Sequence, residues 1–207
     1  QGGDLAGNAG TNKVATAVAT REPGEPRHAG NDGGKSVWWQ FRAPTDGVLL
    51  LSTEGTDFDT LLGLYTGDRV GALTTVASND DAFEGSSFSK LRQAVRSNVV
   101  YHVAVDGFNA ATGRVQIAHL FTASAMRTVT LTQTPGGITV PPAGTIDVES
   151  GASLQLFADA DPGFEFAGWE GDILTSENPV AIPVNQNLAI RATFRQQPVA
   201  DDFESGG

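Results

Sequence analysis

Turn-forming residues recur roughly every ten residues along this chain, and the stretches between them are short and alternating. That punctuation admits strands and leaves little room for long helices. Residues 36–42 alternate, with Val37, Trp39 and Phe41 on one face and Trp38 and Gln40 on the other. Residues 48–52 are a continuous apolar run, as expected of a central strand. Residues 61–65 and 73–77 flank the turn Thr66-Gly67-Asp68. Residues 88–95, 99–106 and 114–121 complete the series, with turn signals at Ser97-Asn98 and Asp106-Gly107-Phe108-Asn109. About seven or eight strands in one such stretch predict a β-sandwich. Ahead of them, residues 1–11 read as a linker or frayed end, residues 14–19 as a short edge strand, and Arg21-Glu22-Pro23-Gly24-Glu25-Pro26 as a loop.

A second, smaller series follows a short polar linker at 122–126. Strands are predicted at 127–133, 153–158, 164–169, 178–184 and 188–194, with Pro183 confining its strand to an edge. Trp169 is expected in the core of this unit beside Phe164 and Phe166. Residues 196–207 read as a linker, with Asp201-Asp202-Phe203-Glu204 as the start of a further module.

Charge narrows the partners. A net charge of −11 with scattered basic residues is the wrong surface for a phosphate backbone or an anionic membrane. No apolar run approaches the roughly 18 residues that span a bilayer as a helix. The absence of cysteine removes disulfides, thiolate metal sites and a cysteine nucleophile. No leader is visible after Gln1, so the chain reads as a mature or excised piece of something longer.

The most distinctive chemistry is carboxylate oxygen. Asp57 and Asp59 precede one apolar strand, and Asn79, Asp80 and Asp81 follow the next. Pairing of those strands as a hairpin gathers all five at one sheet end. Calcium takes about 6–8 oxygen ligands and is the candidate cofactor. The competing reading is that Asp and Asn cap turns through their own backbone. Glu22, Glu25 and Asp32 offer a second, weaker cation cluster, with a solvated loop as its alternative. Trp38 is the candidate ligand-binding residue, a stacking platform if its face is exposed, and a covered side chain otherwise. Catalysis finds little support. Gly85-Ser86-Ser87-Phe88-Ser89 lacks the closing glycine of a nucleophile elbow, and Ser87, His102 and Asp106 make a triad only on paper.

Two resemblances sharpen this reading. Glu22-Pro23-Gly24-Glu25-Pro26, Lys35-Ser36-Val37-Trp38-Trp39-Gln40-Phe41, Asp57-Phe58-Asp59-Thr60-Leu61-Leu62-Gly63-Leu64-Tyr65-Thr66-Gly67, Asn79-Asp80-Asp81 and Tyr101-His102-Val103-Ala104-Val105-Asp106-Gly107-Phe108 occur in that order. Together they resemble bacterial pre-peptidase C-terminal domains over residues 12–122. The resemblance implies a jelly-roll-like β-sandwich appended to a secreted protease or surface protein. Some such domains bind calcium, and relatives in collagenases bind collagen. Ala158-Asp159-Ala160-Asp161-Pro162-Gly163-Phe164-Glu165-Phe166-Ala167-Gly168-Trp169-Glu170-Gly171-Asp172, with Asn178-Pro179 and Ala192-Thr193-Phe194, resembles the divergent internalin-type B-repeat over residues 127–195. That implies a small β-grasp-like module acting as a spacer or weak adhesive unit.

The sequence thus predicts an all-β chain of two modules, non-catalytic and accessory to a larger secreted or cell-surface bacterial protein. Calcium stabilisation and a part in adhesion or substrate attachment go with that reading. The alternative is a carbohydrate- or collagen-binding module working through an aromatic face. The expected partners are other domains of the same polypeptide, and a polysaccharide or extracellular-matrix protein, with no nucleic acid and no membrane insertion.

Overall fold

The computed structural model describes residues 2–198. It is all-β, and it divides into two compact units, the first running to Ala125 and the second beginning at Met126. No helix among the described residues is long and apolar enough to cross a membrane.

The first unit contains β1 (Gly3–Asp4), β2 (Ala9–Ala15), β3 (Val37–Arg42), β4 (Gly47–Ser52), β5 (Thr60–Thr66), β6 (Thr74–Asn79), β7 (Lys90–Val95), β8 (Val100–Gly107) and β9 (Arg114–Ala123). They form a five-stranded sheet, β1-β3-β8-β5-β6, and a four-stranded sheet, β2-β9-β4-β7. The alternation in β3 is as expected. Trp39 and Phe41 are buried in the sandwich core, whereas Gln40 is exposed and Trp38 half-buried on the outer face. Val103 and Val105 of β8, Leu62 and Leu64 of β5, and Val115, Ile117 and Phe121 of β9 fill the same core.

Three expectations change. Residues 1–11 are not a loose end. Gly3–Asp4 pairs in parallel with Trp39-Gln40, Ala9–Ala15 pairs with β9, and Leu5 is buried. Low apolar content hid these strands because β2 lies at a sheet edge and buries little of itself. Its Gly10 crosses so close to His119 that a Cβ there would lie 2.9 Å from the imidazole. The expected strand at 14–19 accordingly ends at Ala15, and Val18 is exposed. The linker at 122–126 shrinks to two residues between β9 and the first strand of the second unit.

β5 also departs from simple alternation, since its first six residues are all buried. Leu62 and Leu64 face the sandwich core. Leu61 and Tyr65 face the other way and are buried too, because the loop between β2 and β3 folds over the outer sheet face.

The second unit contains β10 (Met126–Gln133), β11 (Gly137–Val140), β12 (Gly144–Glu149), β13 (Ser153–Ala160), β14 (Phe164–Gly171), β15 (Val180–Pro183) and β16 (Leu188–Gln196). β12-β10-β16-β14 form one sheet and β11-β13-β15 another. β10 and β16 run parallel at the centre of the first of these. Val129, Leu131, Leu156, Trp169, Val184, Ile190 and Ala192 make the core. Trp169 is buried as expected, packs edge-on to Phe166 at 5.2 Å, and donates its indole N–H to the Glu177 carbonyl. β15, which carries Pro183, is an edge strand. β11 and β12 were not predicted, being short and set among Gly and Pro. Gln196 closes β16 and the Gln197 amide donates to the Gly163 carbonyl, so the first two residues of the expected linker belong to this unit. The module suggested at Asp201-Asp202-Phe203-Glu204 lies outside the described residues.

Truncating a fully buried core leucine removes its transfer free energy and leaves a cavity. Leu62→Ala in the first unit and Leu156→Ala in the second should each cost about 2–5 kcal/mol of the affected unit's stability. Urea unfolding checks this, with tryptophan emission as the probe.

Candidate functional site

Strand pairing decides which acidic residues meet. β5 and β6 are antiparallel, with Leu62 opposite Asn79. The start of β5 therefore lies beside the end of β6, which places Asp59 next to Asp80 and Asp81. Carboxylate oxygens of these three lie within 4.8 Å of one another. Beneath them is a buried hydroxyl cluster. Thr53 Oγ1 and Thr60 Oγ1 are 2.6 Å apart, and Thr60 Oγ1 and Ser89 Oγ are 3.0 Å apart. Ser89 Oγ also lies 2.6 Å from the Asp80 carbonyl, fixing the 80–89 loop to the start of β5.

The other two expected ligands are committed elsewhere. Asp57 Oδ1 accepts the Arg114 amide at 2.7 Å. Asn79 Oδ1 accepts the Lys90 amide at 2.8 Å, and its Nδ2 donates to the Asp81 carbonyl at 2.9 Å. The bonds to the Arg114 and Lys90 amides join segments distant in the chain, whereas Asn79 Nδ2 fills the local turn-capping role weighed from the sequence. Asp59, Asp80 and Asp81 do not share it equally. Asp80 Oδ2 accepts from Asn31 Nδ2 at 3.1 Å. Asp59 Oδ1 is buried and finds no donor among the described residues. Burial pushes the Asp59 carboxyl above its ordinary range, and the Asp81 charge adds to that. Burial likewise raises Asp80, followed by the charges of Asp81 and Asp59. A carboxylate with one oxygen lacking a donor, grouped with two further carboxylates, is an arrangement that a cation would relieve.

The second acidic cluster is not assembled as expected. Asp32 pairs with Arg27 at 2.8 Å at the surface, whereas Glu25 is buried. Glu25 belongs instead to a network that sequence reading missed. Its Oε1 lies 2.9 Å from His28 Nε2, and His28 Nδ1 lies 2.7 Å from the Tyr65 hydroxyl. Burial, with the Glu25 charge second, pushes the Tyr65 phenol up to about 12. The phenol thus keeps its proton, and the imidazole bridges it to Glu25. Burial disfavours the Glu25 carboxylate, but hydrogen bonds from His28, Ser36 and the Glu22 amide outweigh it and hold the group below its ordinary value. The spacing of Glu25 and His28 in a Pro/Gly loop was the signal available, and Tyr65, 37 residues away, gave none.

Asp106 pins the same loop. Its two oxygens accept the amides of Gly34, Lys35 and Gly107, each at 2.7 Å. Residue 33 must be glycine, because its φ is +54° and a Cβ would lie 1.9 Å from Asp106 Oδ2. Asp106 is committed to these backbone amides, and His102 Nε2 bonds the Gly67 carbonyl at 2.9 Å. The paper triad of Ser87, His102 and Asp106 is not brought together. His119 is the remaining histidine. It lies in the core, 6.2 Å from Phe41 between ring centroids, with neither ring nitrogen bonded among the described residues.

Trp38 is held rather than free. Its indole N–H donates to Ser36 Oγ at 3.1 Å, and its ring packs against His28 and Tyr65 at 5.4 and 5.6 Å. The rest of the ring borders concavities on the outer sheet face, one with Gln40 and one with Arg69.

Residues 127–198 match the family model of the divergent InlB B-repeat domain. That match falls within the second unit. No curated protein matches the chain significantly. Among solved structures, it is similar to PliG of Aeromonas hydrophila, a periplasmic inhibitor of g-type lysozyme. Identity is 12%, the TM-score is 0.34, and the match covers 55% of this chain and 84% of that one.

The two kinds of carboxylate predict opposite pH responses. Glu25 is depressed in the folded state, so its contribution is present above its ordinary value of 4.5 and is lost as pH falls through the folded pKa. Glu25→Gln should remove that acid-side loss and cost about 1.5–3 kcal/mol at neutral pH. Asp59 is raised, so its contribution is present below its ordinary value of 3.8 and is lost as pH rises through the folded pKa. In EDTA, Asp59→Asn should therefore melt higher than the parent at pH 7, with the difference shrinking towards pH 4. Melting series across pH check both.

Proposed function

We propose that the chain is a pair of non-catalytic accessory modules from a larger secreted or cell-surface bacterial protein, with calcium bound at Asp59, Asp80 and Asp81. The observation that carries the calcium reading is Asp59, whose Oδ1 is buried without a donor among the described residues and whose carboxylate lies within 4.8 Å of those of Asp80 and Asp81. Three carboxylates supply part of a calcium shell, and backbone carbonyls and water supply the remainder in sites of this kind. The motif order in residues 12–122 supports assigning the first unit to the pre-peptidase C-terminal type. The B-repeat match supports a spacer or weakly adhesive role for the second. The commitment of Asp106 and His28 to structural bonds, and of His102 Nε2 to a backbone carbonyl, favours this reading over an enzyme. Attachment of the parent protein to a polymeric substrate is the role these modules would serve.

Extracellular modules bind calcium with Kd of about 0.1–1 mM. At tenfold excess over Kd, binding to the folded state alone adds about 1.4 kcal/mol. The melting temperature of the first unit should therefore rise on moving from EDTA to 10 mM calcium. Asp59→Asn and Asp80→Asn should lose that rise, while Asp57→Asn, whose Oδ1 accepts the Arg114 amide, should keep it. A parent protein that melts identically in both buffers overturns the calcium assignment.

A further inference from the structure

Trp38 stands at the open end of the outer sheet face, and the polar groups around it define a ligand. The loop between β2 and β3 covers Tyr65 and Asp106 on this face but leaves Trp38 half-buried and Gln40 exposed. The indole is already immobilised by Ser36, His28 and Tyr65, so a ligand that stacks on it orders no side chain. Two concavities meet at Trp38 and share His102 as a second common wall. One, of about 250 Å³, carries Asp4 and Gln40. The other, of about 180 Å³, carries Glu22, Asp68 and Arg69.

We propose that this face binds a neutral pyranose oligosaccharide, with consecutive sugar units on either side of Trp38. This deepens the attachment role proposed above by naming its ligand class and site. A pyranose ring has an apolar C–H face, which suits a fixed indole, and a rim of hydroxyls that both donate and accept. Carboxylates and the Gln40 carbonyl accept from those hydroxyls, and Arg69 and the Gln40 amide donate to them. The charge around the platform selects against acidic sugars. Asp4, Glu22 and Asp68 set three carboxylates against the single guanidinium of Arg69, within a chain of net charge −11. A uronic or sulfated glycan meets repulsion there that a neutral one does not.

The site is separable from the calcium cluster. Asp59 adjoins one end of β5, while Trp38 packs against Tyr65 near the other, roughly 20 Å away at 3.3 Å per strand residue. Loss of the calcium response therefore leaves this proposal standing, and loss of sugar binding leaves the calcium reading standing.

The test uses the whole chain labelled with 15N at the indole nitrogens, which gives one resonance for each of its three tryptophans. Cellohexaose and chitohexaose are the neutral probes, and hexagalacturonate and a triple-helical collagen-model peptide are the competitors. The expected result is a saturable shift of the Trp38 resonance with at least one neutral probe, while buried Trp169 stays unmoved. Trp38→Ala should weaken binding, followed by calorimetry, at least tenfold, and Trp38→Phe should restore part of it. Asp68→Asn and Arg69→Gln, which alter only exposed polar groups, should each weaken it three- to tenfold with an unchanged melting temperature. The proposal is overturned by no saturable shift with either neutral probe, by unchanged affinity in folded Trp38→Ala, or by preferential binding of hexagalacturonate or the peptide.

Discussion

Two buried carboxylates hold the first unit's outer layer in place. Asp106 takes two backbone amides from the end of the β2–β3 loop and one from Gly107 at the end of β8, and Glu25 anchors the middle of that loop through His28 to Tyr65. A charged acceptor buried without partners is costly, so each group demands a particular loop path. That path explains why β5 is apolar on both faces, a pattern usually associated with strands covered on both sides. Here a loop rather than a helix supplies the second cover. The same path sets where the cover stops, and Trp38 stands at that limit.

The acidic residues divide by whether a donor reaches them. Asp57, Asn79, Asp106 and Glu25 have their oxygens met by amides or by His28, and they act as structural fasteners. Asp46 belongs with them, since the Ser97 amide and Arg96 hold its carboxyl below the ordinary range. Asp59 and Asp80 go the other way, because burial and neighbouring negative charge outweigh the donors they have. Tolerating such a cluster costs stability at neutral pH, and a bound cation would reverse the sign of that cost. Residue type alone does not separate the two groups, since Asp stands in both.

What the sequence made legible followed from period and punctuation. The split of Trp39 from Trp38, the burial of Trp169, the edge position of Pro183 and the approach of Asp59 to Asp80 and Asp81 are all consequences of two-residue alternation and hairpin pairing. The misses lie where neither rule applies. β1 and β2 carry almost no apolar signal, because pairing at a sheet edge satisfies their backbone while burying little side chain. The division of labour among Asp57, Asn79 and Asp59 depends on amides of residues 90 and 114, which reach the loops only after β7 and β9 have paired. The Glu25–His28–Tyr65 network needs a loop to fold back over a sheet, and no local pattern encodes that.

The second unit shows the same logic with less polar chemistry. Its parallel β10–β16 pair joins the first and last strands of the module, so the core cannot close until the whole segment is present. Such non-local closure favours an all-or-none module over a graded one. The bulge between Phe166 and Gly168 bends β14 around that closure, and Gly168, at φ +151°, takes a backbone conformation that few other residues adopt. Phe166 then packs edge-to-face against both Trp169 and Phe194, tying the bent strand to the closing one. The motif Gly163-Phe164-Glu165-Phe166-Ala167-Gly168-Trp169 is therefore a packing device: its aromatics fill the core and its glycine permits the bend. That is why it identifies the fold of this module and says nothing of a ligand.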